Sequence, residues 1–285
     1  MKVIDTSMFN TFSSWAEMAK DCDGIIIRCG YRGYGSSGTL VVDSKFRTSI
    51  ESAIRAGIPV GVYWVTQAIN IAEAVQEANF VLSLIKPYKL SFPIMIDEEN
   101  GNGGKGRADA GKLSAGVRTA ITKAWCRTIE AAGYKAGIYA SESWFTGQLV
   151  WKELTDYFFW VAKYSSTAPR IPWNAWQYTD KGQTQGVNCM HGKNRCDVST
   201  FRYNFKPGAK TGGVKIVGVT KKGMSGVQVK GLQTMLKEYG YYSATIDGSF
   251  GDKTEAAVKA FQKAEGLDAD GLVGEKTWAR LAGLA

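Results

Sequence analysis

The sequence predicts an α/β fold, an irregular (β/α) barrel of eight strands with fewer helices in its second half, plus a small C-terminal three-helix module. Three observations carry that prediction. Runs of β-branched and aromatic residues recur through the first two hundred positions, with amphipathic helical patterns between the early ones. After residue 163 the gaps between runs become too short for full crossover helices. Finally, KPGAKTGGVKIVGVTKK, residues 206–222, breaks the pattern with Lys, Gly and Val and reads as a linker. It divides a barrel at 1–205 from a module at 223–285.

The strand candidates, in order, are KVIDT, GIIIRCGY, PVGVYWVT, FPIMIDEE, KAGIYAS, FFWVAKY, NAWQYTD and RCDVS. Each is bounded by glycine, proline or polar residues. Between the early ones, residues 44–56 set Phe46, Ile50, Ala53 and Ile54 on one helical face, and Gly57 follows as the stop. Asn70 precedes a helix at 71–86 with Glu73 three positions on, a capping box, and Pro87 ends the run. Residues 115–132 repeat apolar groups at Val117, Ile121, Ala124, Trp125, Thr128 and Ile129 before Gly133. Beyond the linker, a helix turns Val229, Leu232, Met235, Leu236 and Tyr239 inward and stops at Gly240. DGSFGDKTEAAVKAFQ and DGLVGEKTWARL then repeat one turn-plus-helix pattern.

The bulk composition narrows the function. The 285 residues are 45% hydrophobic, enough for one large core or two unequal ones. No apolar run approaches the roughly 20 residues that span a bilayer, so membrane insertion is not expected. The opening MKVIDTSMF enters a strand pattern without a signal core, which predicts synthesis in the cytoplasm. The net charge is +9, and residues 214–285 hold 10 basic and 8 acidic residues, so most of the excess lies on the barrel. Such a surface suits a polyanion. There is no dense Lys/Arg run and no nucleic-acid motif, so nucleic acid is not an expected partner.

Five cysteines, Cys22, Cys29, Cys126, Cys189 and Cys196, are widely spaced. Cys189 and Cys196 could close a short loop as a disulfide or remain free thiols, and both readings stand. His191 between them is the one histidine, and the cluster fits no common zinc signature. No metal and no cofactor are expected. GYGSSG at 33–38 has the spacing of a dinucleotide fingerprint, but TLVVD after it is not helical and the next strand ends without an acid. It is expected to be a flexible loop over the barrel mouth.

What remains is acid chemistry. In FPIMIDEENGNGG, an apolar run ends in Asp97, Glu98 and Glu99. Side chains two apart on a strand share a face about 6–7 Å apart, so Asp97 and Glu99 point together and Glu98 points away. Two carboxyls this close do not both ionise freely, and one can serve as a proton donor on a glycosidic bond. The triplet is equally consistent with a solvated strand end. Asp5 and Asp197 also fall at or near strand ends, where barrel enzymes gather their chemistry. With a single histidine, a Ser-His-Asp triad or a zinc hydrolase fits poorly. Aromatics at strand ends, Tyr31, Tyr63, Tyr139, Trp160 and Trp176, are candidates to stack on sugar rings or to fill the core.

VIDTS, GYRGYG, AGIPVGVYW, PIMIDEE, AGYKAGIYAS, WVAKY, AWQYTDKGQTQGV and CDVSTF, in that order, resemble a family-25 glycoside hydrolase over the whole first domain. The resemblance implies a lysozyme that cuts the β-1,4 bond between N-acetylmuramic acid and N-acetylglucosamine. It implies Glu99 as proton donor and Asp97 as the group that orients the acetamido substituent or stabilises charge on the ring. Asp5 and Asp197 would hold the site's electrostatics. Glu98 stands where the family usually has an apolar residue, and Trp64 where many relatives carry histidine or another aromatic. GLQTML, DGSFGDKTEAAVKAFQ and DGLVGEKTW resemble the type-1 peptidoglycan-binding module. Together these imply bacterial peptidoglycan as partner and a bacteriolytic muramidase, expected to be a phage endolysin released to the wall at lysis. A bacterial autolysin and a wall-binding protein on a barrel that no longer cuts are the alternatives.

Overall fold

The computed structural model describes residues 1–101, 104–202 and 219–281. The predicted strand segments all form. β1 (Lys2–Thr6), β3 (Gly24–Arg32), β5 (Val60–Val65), β6 (Ile94–Asp97), β7 (Ala136–Ser141), β8 (Phe158–Ala162), β9 (Ala175–Gln183) and β11 (Arg195–Phe201) pair in that order, and β11 returns to β1 to close the barrel. Two short elements lie outside the ring. β4 (Leu40–Val42) doubles back on β3, and β2 (Thr11–Phe12) pairs with β10 (Val187–Asn188) as a separate ribbon.

Pairing from β1 through β9 is parallel, but β11 runs antiparallel to both of its neighbours. This corrects the expectation that Asp197 sits at the C-terminal end of its strand. Residues 184–194 between β9 and β11 are too few for a crossover helix, so the chain turns back instead. Asp197 therefore reaches the rim where β1 ends from the N-terminal part of β11, paired directly with Asp5.

Helices cover the first half. α1 (Trp15–Asp21), α2 (Phe46–Arg55), α3 (Ile71–Ile85), α4 (Ala115–Ala131) and α5 (Glu142–Gln148) follow successive strands. Asn70 accepts from the Glu73 backbone N–H at 2.8 Å, the predicted cap. Gly57 and Gly133 close α2 and α4 at φ +74 and +84, a region that side chains with a Cβ avoid. On α4, Val117 is 47% exposed and does not join the buried stripe expected of it.

Strand alternation builds two apolar layers. Ile4, Ile25, Ile27, Trp64, Ile94 and Ile96 face outward against the helices, while Val3, Ile26, Met95, Phe158, Trp160 and Phe201 fill the barrel interior. Each such fully buried side chain contributes about 1.5–3 kcal/mol, which holds the strand ends in fixed register below the mouth.

The C-terminal module has its own core, in which Leu232, Leu236, Phe250, Val258 and Phe261 meet between α6 (Val227–Glu238), α7 (Asp252–Ala264) and α8 (Glu275–Leu281). The repeated sequence has a repeated cause. Gln233 accepts from the Gly248 N–H at 2.8 Å and bonds Asp247 and Thr254, at 2.8 and 3.0 Å. Gln262 does the same to Gly271, Asp270 and Thr277, at 2.9, 2.9 and 3.1 Å. Each buried glutamine pins one turn to the helix before it. Tyr239, expected inward, is 48% exposed and touches Phe261 only by its ring. Of the expected linker 206–222, residues through 218 lie outside the described residues, whereas Thr220 exchanges backbone hydrogen bonds with Val273 and so belongs to the module. Ala72 and Val75 of α3 pack against the module core.

Candidate active site

The site forms where β6 ends. Met95 and Asp97 point into the barrel, while Ile94 and Ile96 point out to the helices. The ladder extends one residue further, with the Glu98 N–H donating to the Tyr139 carbonyl at 2.9 Å. Parity then sends Glu98 outward, as the sequence predicts. It is buried beneath α4, accepts from the Thr122 hydroxyl at 2.5 Å, and lies 3.6 Å from Arg118. Arg118 in turn donates to the carbonyls of Ala108 and Asp109 at 2.5 and 3.0 Å, tying down the segment that follows Glu99. Glu98 is thus a structural acid. Glu99 stands exposed at the mouth, on the groove side.

Asp5, Asp97, Glu99 and Asp197 converge on the mouth, close enough to perturb one another. Burial, then repulsion from Glu99 and Asp5, holds Asp97 well above the usual carboxylate range, and Arg28 pulls it back. Asp5 is raised for the same first reason and then by Asp197, against a hydrogen bond from Gln177. Burial, and then Asp180 and Glu99, push Asp197 up to about 6. Glu99 is raised by displacement of water, with Arg28 opposing. Arg28 opposes the rise of Asp97 and Glu99, whereas Asp5 and Asp197 are raised by burial and by neighbouring acids, an arrangement that favours a proton shared within the cluster. One oxygen of Asp97, Oδ1, is buried without a hydrogen-bond partner. It is a buried acceptor whose hydrogen-bonding capacity is unmet, beneath the acids of the mouth.

Several of these partners escape a sequence reading. Arg28 lies inside β3 and pairs with Asp43 at 2.7 Å, under the exposed ring of Phe9 at 5.2 Å. A charged residue within the apolar run GIIIRCGY is a signal that could have found it. Tyr34 stacks on Tyr31 at 6.0 Å, and burial and then Glu99 raise its hydroxyl above the usual range. Gln177, on β9, and Tyr164, just past β8, are joined to Asp5 through hydrogen bonds.

The sugar-stacking candidates divide. Tyr31, Tyr63 and Tyr139 are half-buried in the mouth. Trp160 is 1% exposed and one layer too deep. It donates to Ser199 at 2.9 Å and supports Tyr63 and Tyr139 edge-on from below. Trp176 lies on the outer wall, because its neighbour Gln177 takes the inward position. Its indole donates to the Lys163 carbonyl at 2.8 Å and meets Trp173 and Tyr178, covering a barrel face that has no helix. Neither tryptophan offers a ring to the cleft. The accessible surface on that side is a groove of about 560 Å³ between Glu99, Tyr139, Ser141, Trp144, Lys163 and Tyr164.

The remaining motifs are structural. GYGSSG is not a free loop: Arg32 donates to the Gly38 carbonyl at 2.7 Å and to Glu77, while Gly33 donates to Thr39 at 2.8 Å. TLVVD becomes β4, so no helix opens at its last glycine. The five cysteines are free thiols, and His191 pairs with Asp180 at 3.3 Å. Among the described residues no three His, Cys, Asp or Glu side chains are arranged to hold a metal ion.

Comparisons with known proteins agree with this geometry. Residues 4–187 match the family model of the glycosyl hydrolases family 25, and residues 225–281 match that of a putative peptidoglycan binding domain. The uncharacterized protein YegX of Escherichia coli is 27% identical over 190 residues, 65% of this chain and 65% of that protein. The autolytic lysozyme of Clostridium acetobutylicum is 24% identical over 236 residues, covering 81% of this chain and 65% of that one. The chain thus spans about 65% of the length of these curated relatives. Among solved structures, the modular autolysin LytC from Streptococcus pneumoniae is similar with a TM-score of 0.59 at 28% identity, over 70% of this chain and 46% of that one. The bacterial lysozyme from Streptomyces coelicolor shares the fold with a TM-score of 0.58 at 21% identity, over 72% of this chain and 93% of that one.

Proposed function

Because the chain belongs to the glycosyl hydrolases of family 25, we propose that it is an N-acetylmuramidase that hydrolyses the β-1,4 bond between N-acetylmuramic acid and N-acetylglucosamine in peptidoglycan. The observation that supports this best is the pairing of Asp97 and Glu99 on the cleft side of β6, with Asp5 and Asp197 facing them. Glu99, raised and exposed, is placed to protonate the leaving oxygen. Asp97, whose buried Oδ1 has no partner of its own, would accept from the acetamido N–H once substrate enters, orienting that group as positive charge develops on the ring. Attack by the acetamido oxygen, in place of a protein nucleophile, would retain configuration. The C-terminal module raises the local concentration of the barrel at its polymer without adding a catalytic group.

Mass spectrometry of fragments released from purified walls tests the reading. Fragments ending in reducing N-acetylmuramic acid support it, and reducing N-acetylglucosamine moves the cut to the other bond. Wall binding with no fragments would establish a non-catalytic wall-binding protein instead. The proposed place of action is the wall, after release from the cytoplasm as an endolysin. Expression in a bacterium with and without a membrane-permeabilising partner tests this: lysis only with the partner supports release, and lysis without it favours an exported autolysin.

A further inference from the structure

Gln177 is 2% exposed, and every polar atom of its amide has a partner inside the barrel. Its Oε1 accepts two hydroxyl hydrogens, from Tyr139 at 2.8 Å and from Tyr164 at 3.1 Å. Its Nε2 donates to Asp5 Oδ2 at 2.8 Å. A carboxamide has one accepting and one donating end. The Asp5 carboxylate can only accept, and the two hydroxyls donating to Oε1 hold the N–H end toward it. A flipped amide would face an oxygen to a carboxylate and an NH₂ to two hydroxyls.

We propose that Gln177 is a positioning residue whose N–H, donated to Asp5 Oδ2, weakens the hold of Asp5 on a proton, and that Tyr139 and Tyr164 jointly lock the amide in the orientation that does so. The lock answers a real difficulty. Asp5 is buried and faces Asp197 from β11, Asp97 at the end of β6 and Glu99 just beyond it, with Cys196 on the outer face of β11. Tyr63 from β5, Tyr139 from β7 and Tyr164 beyond β8 complete its surroundings. Arg28 of β3 is engaged by Asp43, and Lys163 on the groove wall by Glu142. Burial and Asp197 already raise Asp5, and without this donor it would compete still more strongly for the proton that the proposed chemistry needs on Glu99. Tyr164 is 55% exposed on the lip of the groove, so a saccharide pressing on that ring also bears on the amide beneath it.

The proposal rests on the muramidase reading for its purpose but not for its test. Carboxyl ¹³C titration by NMR follows Asp5 directly in wild type, Tyr139→Phe, Tyr164→Phe, the double variant and Gln177→Leu. Phenylalanine keeps both rings and removes only the hydroxyls. Either single variant leaves one donor on Oε1, so the Asp5 midpoint should stay in place. The double variant frees the amide to turn, and Gln177→Leu removes it. Both should raise the midpoint by about one pH unit or more. The acid limb of wall clearing should move upward in parallel. Singles that shift as far as the double, or a double variant and Gln177→Leu that leave Asp5 unmoved, overturn the lock. Wild type that titrates as described but releases no wall fragments would overturn the muramidase reading and leave the lock standing.

Discussion

Asp97 and Glu98 are consecutive residues whose carboxyls stand on opposite walls of one strand, Asp97 inside the barrel beside Asp5 and Glu99 and Glu98 sealed against Thr122 and Arg118 of α4. One peptide bond separates chemistry from scaffolding. The division also explains why an acid is tolerated at position 98: a buried guanidinium is waiting for it.

Glu99→Gln should abolish clearing of wall suspensions while leaving sedimentation with walls unchanged. The amide keeps the size of the side chain and loses the proton. Turbidity and pull-down on the same preparation check both halves, and clearing within tenfold of wild type would remove Glu99 from the donor role.

Glu98→Ala should destabilise the barrel by about 3–5 kcal/mol, since it leaves the buried Arg118 charge uncompensated. Urea unfolding measures this. Because Glu98 does not face the cleft, protein that remains folded should keep most of its activity. A variant as stable as wild type would show that Arg118 does not depend on this partner.

The barrel should be more stable at pH 5 than at pH 7. The sign follows from Asp197, whose folded value of about 6 lies above its ordinary 3.8. A carboxyl raised by folding favours the native state most below the lower value, and that contribution is lost as pH rises through the higher one. Most of the change for Asp197 falls below pH 5, so between pH 5 and pH 7 it contributes about 1.4 kcal/mol. Glu77, pushed up to about 7 by burial, acts in the same direction. Thermal melts at both pH values check the direction, and Asp197→Asn should flatten part of the difference. A lower melting temperature at pH 5 would contradict the burial argument.

Removing residues 206–285 should lower clearing of intact walls by about 10²-fold at dilute enzyme, and leave hydrolysis of short soluble glycans within twofold. The barrel keeps both of its own apolar layers in that truncation. Equal loss on both substrates would mean that the module, through Ala72 and Val75 of α3, supports the barrel itself.

The strands were legible because each buried run is closed off by glycine, proline or polar residues, and the role of Glu98 was legible because strand parity is a local rule. The direction of β11 was not, since it depends on how residues 184–194 close a ring. Trp160 and Trp176 were misassigned for two different local reasons, one a layer too deep and one on the wrong face. Arg28, Gln177 and Tyr164 take their roles from partners on other strands, and no spacing within one segment encodes those contacts.

The reversed last strand has a practical outcome. β11 carries the chain away from the acids, and the Met1 amino group donates to the Phe201 carbonyl at 3.0 Å on the opposite pole. Both ends of the barrel therefore leave from its underside, like two leads from one socket. Sequence grafted at either point starts its path remote from the substrate, which makes this catalytic unit a natural recipient for interchangeable targeting parts.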